Sequence, residues 1–283
     1  MKLPDRVNKW VDYAKEIWQH FNKNNGFLVA AAISFYDFLA FFPLLLAAIG
    51  ILGLIIGPKH AQNVLTSSTS NYLVGLQSSK LISNVVSGSS AATGVGIILL
   101  LWSGSTAIVV LEQAMNIAWE TRQRRSFLKQ RLVSLYVLVV VGILMALSVG
   151  ITAGINAMHN FSTLPNATWF WSLVGYVAPI IVTIALFTFI YKILPVTQVR
   201  WKTALIGGTF AGILFVIAEQ AFTWYVISFA TYNKVYGSIG AVILLLVWIN
   251  YTTIITLLGA EFALVWAKKH PPVPEQETPK ENL

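Results

Sequence analysis

Long apolar runs alternate with short polar ones along the chain, and six of the runs are about twenty residues or longer. At about 1.5 Å per residue, each is long enough to cross a hydrocarbon layer of about 30 Å as a helix. The pattern predicts spans at roughly 27–57, 93–118, 132–156, 171–194, 203–230 and 238–266. An even number of spans returns both termini to one side. The fold class expected is therefore all-α, a polytopic membrane helical bundle of about six transmembrane helices.

The flanks differ from the runs. Val7, Trp10, Val11, Ala14, Ile17, Trp18 and Phe21 recur at helical spacing with Lys, Asp and Glu opposite them, predicting an amphipathic helix over 1–26. It either lies on the inner leaflet or packs beneath the bundle. The first apolar run is too long, and follows too much polar sequence, for a cleaved signal peptide, so it is read as a retained span. Within the membrane domain, 27–268, the serine-rich stretch 58–92 carries short apolar pairs and predicts amphipathic extracytoplasmic helices. The Pro-rich, charged stretch 269–283 buries too little apolar surface to offset its ordering entropy and is expected to be a disordered cytoplasmic tail.

Charge fixes the expected orientation. All but Lys59, Lys80 and Lys234 of the 19 Lys and Arg residues fall on the side that carries the termini, which under the positive-inside rule is the cytoplasm. Trp119, Trp201 and Trp266 mark that boundary, and Trp169 and Trp171 the opposite one. The location expected from charge is a membrane with both termini in the cytoplasm. With 56% hydrophobic and 11% charged residues the chain does not read as a soluble domain, and its net charge of +8 sits in short blocks beside apolar runs. Such blocks suit anionic lipid head groups at the cytoplasmic face better than nucleic acid, which is not an expected partner. The absence of cysteine excludes thiolate ligands and disulfides.

Polar residues inside apolar runs require a reason, since a charge at the bilayer centre costs about 2.5–3.5 kcal/mol or more. Asp37 falls about ten residues into the first run, Glu112 in the inner part of the second and Glu219 in the outer half of the fifth. Glu261 lies near the inner boundary, where water can solvate it. Glu112, Gln113 and Asn116 make a polar patch, Ser103–Gly104–Ser105–Thr106 a polar midsection, and Asn250 with Thr252 and Thr253 a third group. Asp37, Glu112, Asn116, Glu219 and Asn250 are the candidate pathway or binding residues. They line a path for a proton, ion or solute, or they only join neighbouring helices by hydrogen bonds.

Gly142, Ala146, Gly150 and Gly154 form one small-residue ridge, and Ala204, Gly208 and Gly212 another. Such ridges let helices pack closely within one chain or pair two copies in a homo-oligomer. Pro43 and Pro179 interrupt two spans and predict kinks or hinges.

Signatures of enzymes are missing. His20, His60, His159 and His270 are isolated, with no H-E-x-x-H spacing, and neither a phosphate-binding G-x-x-x-x-G-K-[ST] nor a G-x-S-x-G elbow occurs. No enzyme activity, metal or cofactor is expected.

Four stretches carry a family resemblance: SFYDFLAFFPLLL, LWSGSTAIVVLEQAMNIAW, YKILPVTQVRWKTALIGG and VYGSIGAVILLLVWINYTTIITLLGAEF. Over about 15–268 the chain resembles the YihY/BrkB family of bacterial inner-membrane proteins. That resemblance implies a six-helix membrane fold and marks Pro43, Trp102, Asn116, Pro195, Tyr236, Gly237, Trp248, Gly259 and Glu261 as family-motif positions, with no catalytic role attached. Asp37 stands where the family pattern has a small or uncharged residue. The family's older ribonuclease label conflicts with the residues, because the acids lie in apolar spans and the bases line the membrane surface. The function expected is that of a transporter or permease-like protein for a small solute, lipid or ion. The alternatives are a non-transporting scaffold or envelope-integrity factor and, behind both, a membrane-bound enzyme acting on lipids.

Overall fold

A computed structural model describes the backbone of residues 5–56, 90–161, 168–228 and 233–271, and side chains chiefly for 11–41, 101–144, 173–226 and 242–271. Seven helices and no strands occur among the described residues: α1 (Asp5–Lys23), α2 (Gly26–Ile56), α3 (Ser90–Ala118), α4 (Phe127–Phe161), α5 (Thr168–Ile193), α6 (Trp201–Ser228) and α7 (Asn233–Lys269). Six of them cover the six apolar runs. They overshoot the predicted starts because polar first turns, such as Lys129 and Arg131 in α4, are helical without being apolar.

Among the described residues, four stretches are long and apolar enough to cross a membrane, in α4, α5, α6 and α7, or five if the bent pair α1–α2 counts as one. Much of α2 and α3 lies outside the described side chains, as do the 58–92 segment, Trp169, Trp171, Tyr236, Gly237 and the tail beyond 271. The helices run on through Pro43 and Pro179.

Successive helices from α2 to α7 pack on one another, α7 closes the ring onto α2, and α7 also touches α3 and α1. The polarity is that of a bilayer protein turned outward. Val139, Ile143 and Leu147 on α4, and Val177 and Ile181 on α5, are large, apolar and exposed, while the interior is rich in Ala30, Ala114, Ala204, Ala211 and Ala260. Lipid tails give no hydrophobic drive to helix association, so close backbone approach and polar contacts must supply it.

The two small-residue ridges fare differently. At Gly208 an added Cβ would run into the backbone of Thr188, and at Gly212 into Ile184, so the α6 ridge is where α5 lies against α6. At Gly142 and Gly150 of the α4 ridge an added Cβ would meet nothing among the described residues. Between α5, α6 and α7, the fully buried Tyr191 passes Gly259 and Ala211 to donate its hydroxyl to the Thr256 carbonyl at 2.8 Å.

α1 is packed beneath the bundle, with Ile17 and Phe21 buried and Val11 and Trp18 half exposed. It meets α2 at an angle of 62°. Asn25 makes this elbow at φ 52°, a left-handed conformation that Asn tolerates and β-branched residues do not. Replacing Asn25 by valine is expected to lower stability by about 1–2 kcal/mol, and replacing it by glycine to leave unfolding in detergent unchanged. Equal losses in both variants would show that the amide side chain, and not the backbone, makes the elbow.

Candidate functional site

Among the described residues, polar side chains gather chiefly in three places, each made by helices that the hydropathy pattern positions. The first is the seam between α2 and α7. Ser34 Oγ donates to the Ala30 carbonyl and lies 3.4 Å from Thr253 Oγ1, and Asn250 Nδ2 donates to Ser34 Oγ at 3.2 Å. Thr252, Thr253 and Thr256 each donate to the carbonyl four residues back, so their hydroxyls are satisfied within α7. Asp37 is half buried one turn beyond Ser34, and its carboxyl meets no partner among the described residues.

The second is the junction of the α1–α2 elbow with the end of α7. Glu261 is 2% exposed, which corrects the expectation that it is solvated near the boundary: α1 folds under the bundle and covers it. Asn24 Nδ2 donates to its Oε1 at 2.6 Å, and its Oε2 has no hydrogen-bond partner among the described residues. His20 Nδ1 lies 3.9 Å from that oxygen and 3.5 Å from Glu120 Oε1. Glu120 caps α3 at φ 52°. Lys268 donates to it at 2.9 Å and holds its carboxyl below the ordinary carboxylate range. Lys269 pairs with Glu16 at 2.7 Å, fastening α1 to α7 a second time. The buried Leu257 and Ala260 and, on α2, Ala30 lie between the seam and this junction.

The third ties α3 to the end of α5. Glu112 is 1% exposed, and Arg125 lies 3.1 Å from its Oε2. The guanidinium aims its N–H groups elsewhere, at the carbonyls of Leu194 (2.8 Å), Ile193 (3.0 Å) and Pro195 (3.2 Å). These are terminal carbonyls with no partner inside α5, so one side chain caps a helix and neutralises a buried acid. Asn116 completes the contact, its Oδ1 accepting from Val196 N at 2.9 Å.

The expected path residues are thus divided. Asp37 and Asn250 belong to the seam, and Glu112 and Asn116 to the α3–α5 contact. Glu219 lies about 27 Å of helix beyond the start of α6, toward the end opposite Glu112. The polar midsection of α3 also has a partner that hydropathy did not single out. Arg131 donates to Ser105 Oγ at 2.7 Å and Thr106 Oγ1 at 3.2 Å and sits over the Trp102 ring at 5.0 Å.

His20, Asn24, Glu120, Arg125 and Arg131 were not foreseen as site residues. Among the other family-motif positions, Trp248 packs against Phe215 and Phe222 of α6, Gly259 admits Tyr191, and Pro195 is buried and supplies a carbonyl to Arg125. Pro43 is half buried in α2.

Comparison with known sequences adds a family. A family model described as virulence factor BrkB matches residues 17–282. A UPF0761 membrane protein of Alkalilimnicola ehrlichii is 28% identical over 263 residues, covering 89% of this chain and 57% of the relative. One from Haemophilus influenzae is 27% identical over 253 residues, covering 87% of this chain and 91% of the relative. One from Glaesserella parasuis is 31% identical over 173 residues, 60% of this chain and 61% of the relative. The chain therefore spans a little over half the length of the first relative and most of the second. No solved structure matches.

Proposed function

Because the chain belongs to the virulence factor BrkB family of membrane proteins, we propose that it is a permease-like, non-enzymatic protein of the bacterial inner membrane, termini in the cytoplasm, that moves a small solute, lipid or ion. The observation that carries this reading is Glu261. A carboxyl at 2% exposure, with one oxygen lacking a hydrogen-bond donor among the described residues and with only His20 at 3.9 Å where Glu112 has Arg125 at 3.1 Å, is costly to keep in a bundle that only has to hold together. It lies on α7, the helix that also touches α1, α2, α3 and α6.

The route runs along the α2–α7 seam, from Asp37 through Ser34, Asn250 and Thr253 to Glu261 and His20. Leu257, Ala260 and Ala30 close the seam between its two polar parts. Separation of α2 from α7 wets that layer and joins them. Because α1 covers Glu261 through Asn24, movement of the elbow opens the end of the route. Glu112 and Asn116 act outside it, as fasteners of α3 to α5.

The test is flux in proteoliposomes of the full chain, with a pH-sensitive dye and a panel of ions and small solutes. Glu261→Gln and Asp37→Asn are expected to reduce specific flux by at least tenfold, while Glu112→Gln changes it less than threefold. Full flux in Glu261→Gln would remove the seam from the mechanism. Absence of flux across the panel, from folded and oriented protein, would favour the second reading: a scaffold or envelope-integrity factor, which the open α4 ridge at Gly142 and Gly150 supports as a place for another copy.

A further inference from the structure

On the side of the bundle away from the seam, α4 and α6 part over α5 and leave a groove of about 610 Å³. This is within the roughly 300–1,000 Å³ range of small-molecule sites. Its walls are Val140 and Leu144 of α4 and Leu205 of α6, and its floor is Ala185 and Phe189 of α5. Thr188, also in the floor, donates its hydroxyl to the Ile184 carbonyl and offers the groove no free donor. The groove therefore recognises hydrocarbon.

One end of it is different. Trp201 and Lys202 form the mouth. Lys192 sits 5.4 Å over the Trp201 ring and is held there by donating to the Val199 carbonyl, and Lys202 lies 5.8 Å over the Trp266 ring. Arg200 is exposed beside them. None of the three cations meets a carboxylate among the described residues, in contrast to Arg125, Lys268 and Lys269, which all do. Uncompensated positive charge next to an indole and a dry apolar slot is complementary to one kind of molecule: a negative head on a hydrocarbon chain.

We propose that this groove seats an acyl chain of an anionic glycerophospholipid, with the phosphate against Arg200 and Lys202. The occupant comes from the leaflet that meets the basic end of the bundle. A zwitterionic lipid fills the slot equally well but leaves the cations unpaired. A second copy of the chain brings to this mouth its own bases. The site is independent of the seam, and its test reads binding, not flux.

The full chain, purified in mild detergent, is incubated with equal amounts of phosphatidylglycerol and phosphatidylcholine of the same acyl composition, and bound lipid is counted by native mass spectrometry. Retention of phosphatidylglycerol over phosphatidylcholine is expected. The double variant Arg200→Gln/Lys202→Gln, both surface positions, should reduce that preference about thirtyfold, since each base near an anionic group contributes roughly fivefold. Ala185→Phe, which fills the floor, should reduce retention of both lipids. Lys129→Gln, an exposed base elsewhere at the basic end, should do neither. Unchanged preference in the double variant, an equal loss in Lys129→Gln, or a change in oligomeric mass without a change in bound lipid would each overturn the assignment. If Ala185→Phe fails to fold, the double variant alone decides.

Discussion

Arg125→Ala is expected to be among the most destabilising single substitutions in the bundle, with a loss of about 3–5 kcal/mol. It leaves Glu112, at 1% exposure, as an uncompensated buried acid and strips the carbonyls of Ile193, Leu194 and Pro195 of their donor. Arg125→Lys recovers little, because an ammonium cannot fork across three carbonyls and a carboxylate at once. Glu112→Gln costs much less, since the guanidinium keeps its carbonyl bonds. Equilibrium unfolding in mixed micelles ranks the three. If Arg125→Ala unfolds at the same denaturant concentration as the native chain, the ion pair and cap described here do not hold α3 to α5. A double replacement of Arg125 and Glu112 by methionine should regain most of the loss, as apolar substitutes for buried ion pairs commonly do.

The second large effect is expected at Gly259. A methyl group there would collide with the Tyr191 hydroxyl and come within 2.7 Å of Ala211 Cβ. Tyr191 is fully buried and bonded to the Thr256 carbonyl, so it has nowhere to retreat. Gly259→Ala should therefore cost about 1–3 kcal/mol from overpacking. Tyr191→Phe in the same chain removes the atom that collides, and the two changes together should cost less than their sum. Strict additivity in this double-mutant cycle would mean that the two residues do not share the space assigned to them.

These contacts also show what hydropathy can and cannot read. Helices lie on every apolar run because length and apolarity alone make a span. A carboxylate such as Glu112 was visible because it interrupts hydrocarbon. Its partner was not, since Arg125 sits among Arg122, Arg124 and Lys129 in a stretch that reads as facing head groups. Only the return of that loop to the end of α5, nearly seventy residues later, singles it out. The same holds for Asn24 and Glu261, which the α1–α2 elbow brings together from opposite ends of the chain. The fates of the two small-residue ridges were equally hidden, because spacing shows that a helix can be approached closely and not whether anything approaches it.

The helix ends at this face have a geometric consequence for the surrounding lipid. The backbone just past α5 is bonded to Asn116 near the end of α3, Lys202 at the start of α6 lies over the Trp266 ring, and Lys268 of α7 reaches Glu120 just past α3. These four helices therefore end close to one level. A bilayer too thick or too thin for them must adjust its own thickness around the bundle, or the whole bundle must tilt. Membranes of different thickness should accordingly favour different tilts of the same fold.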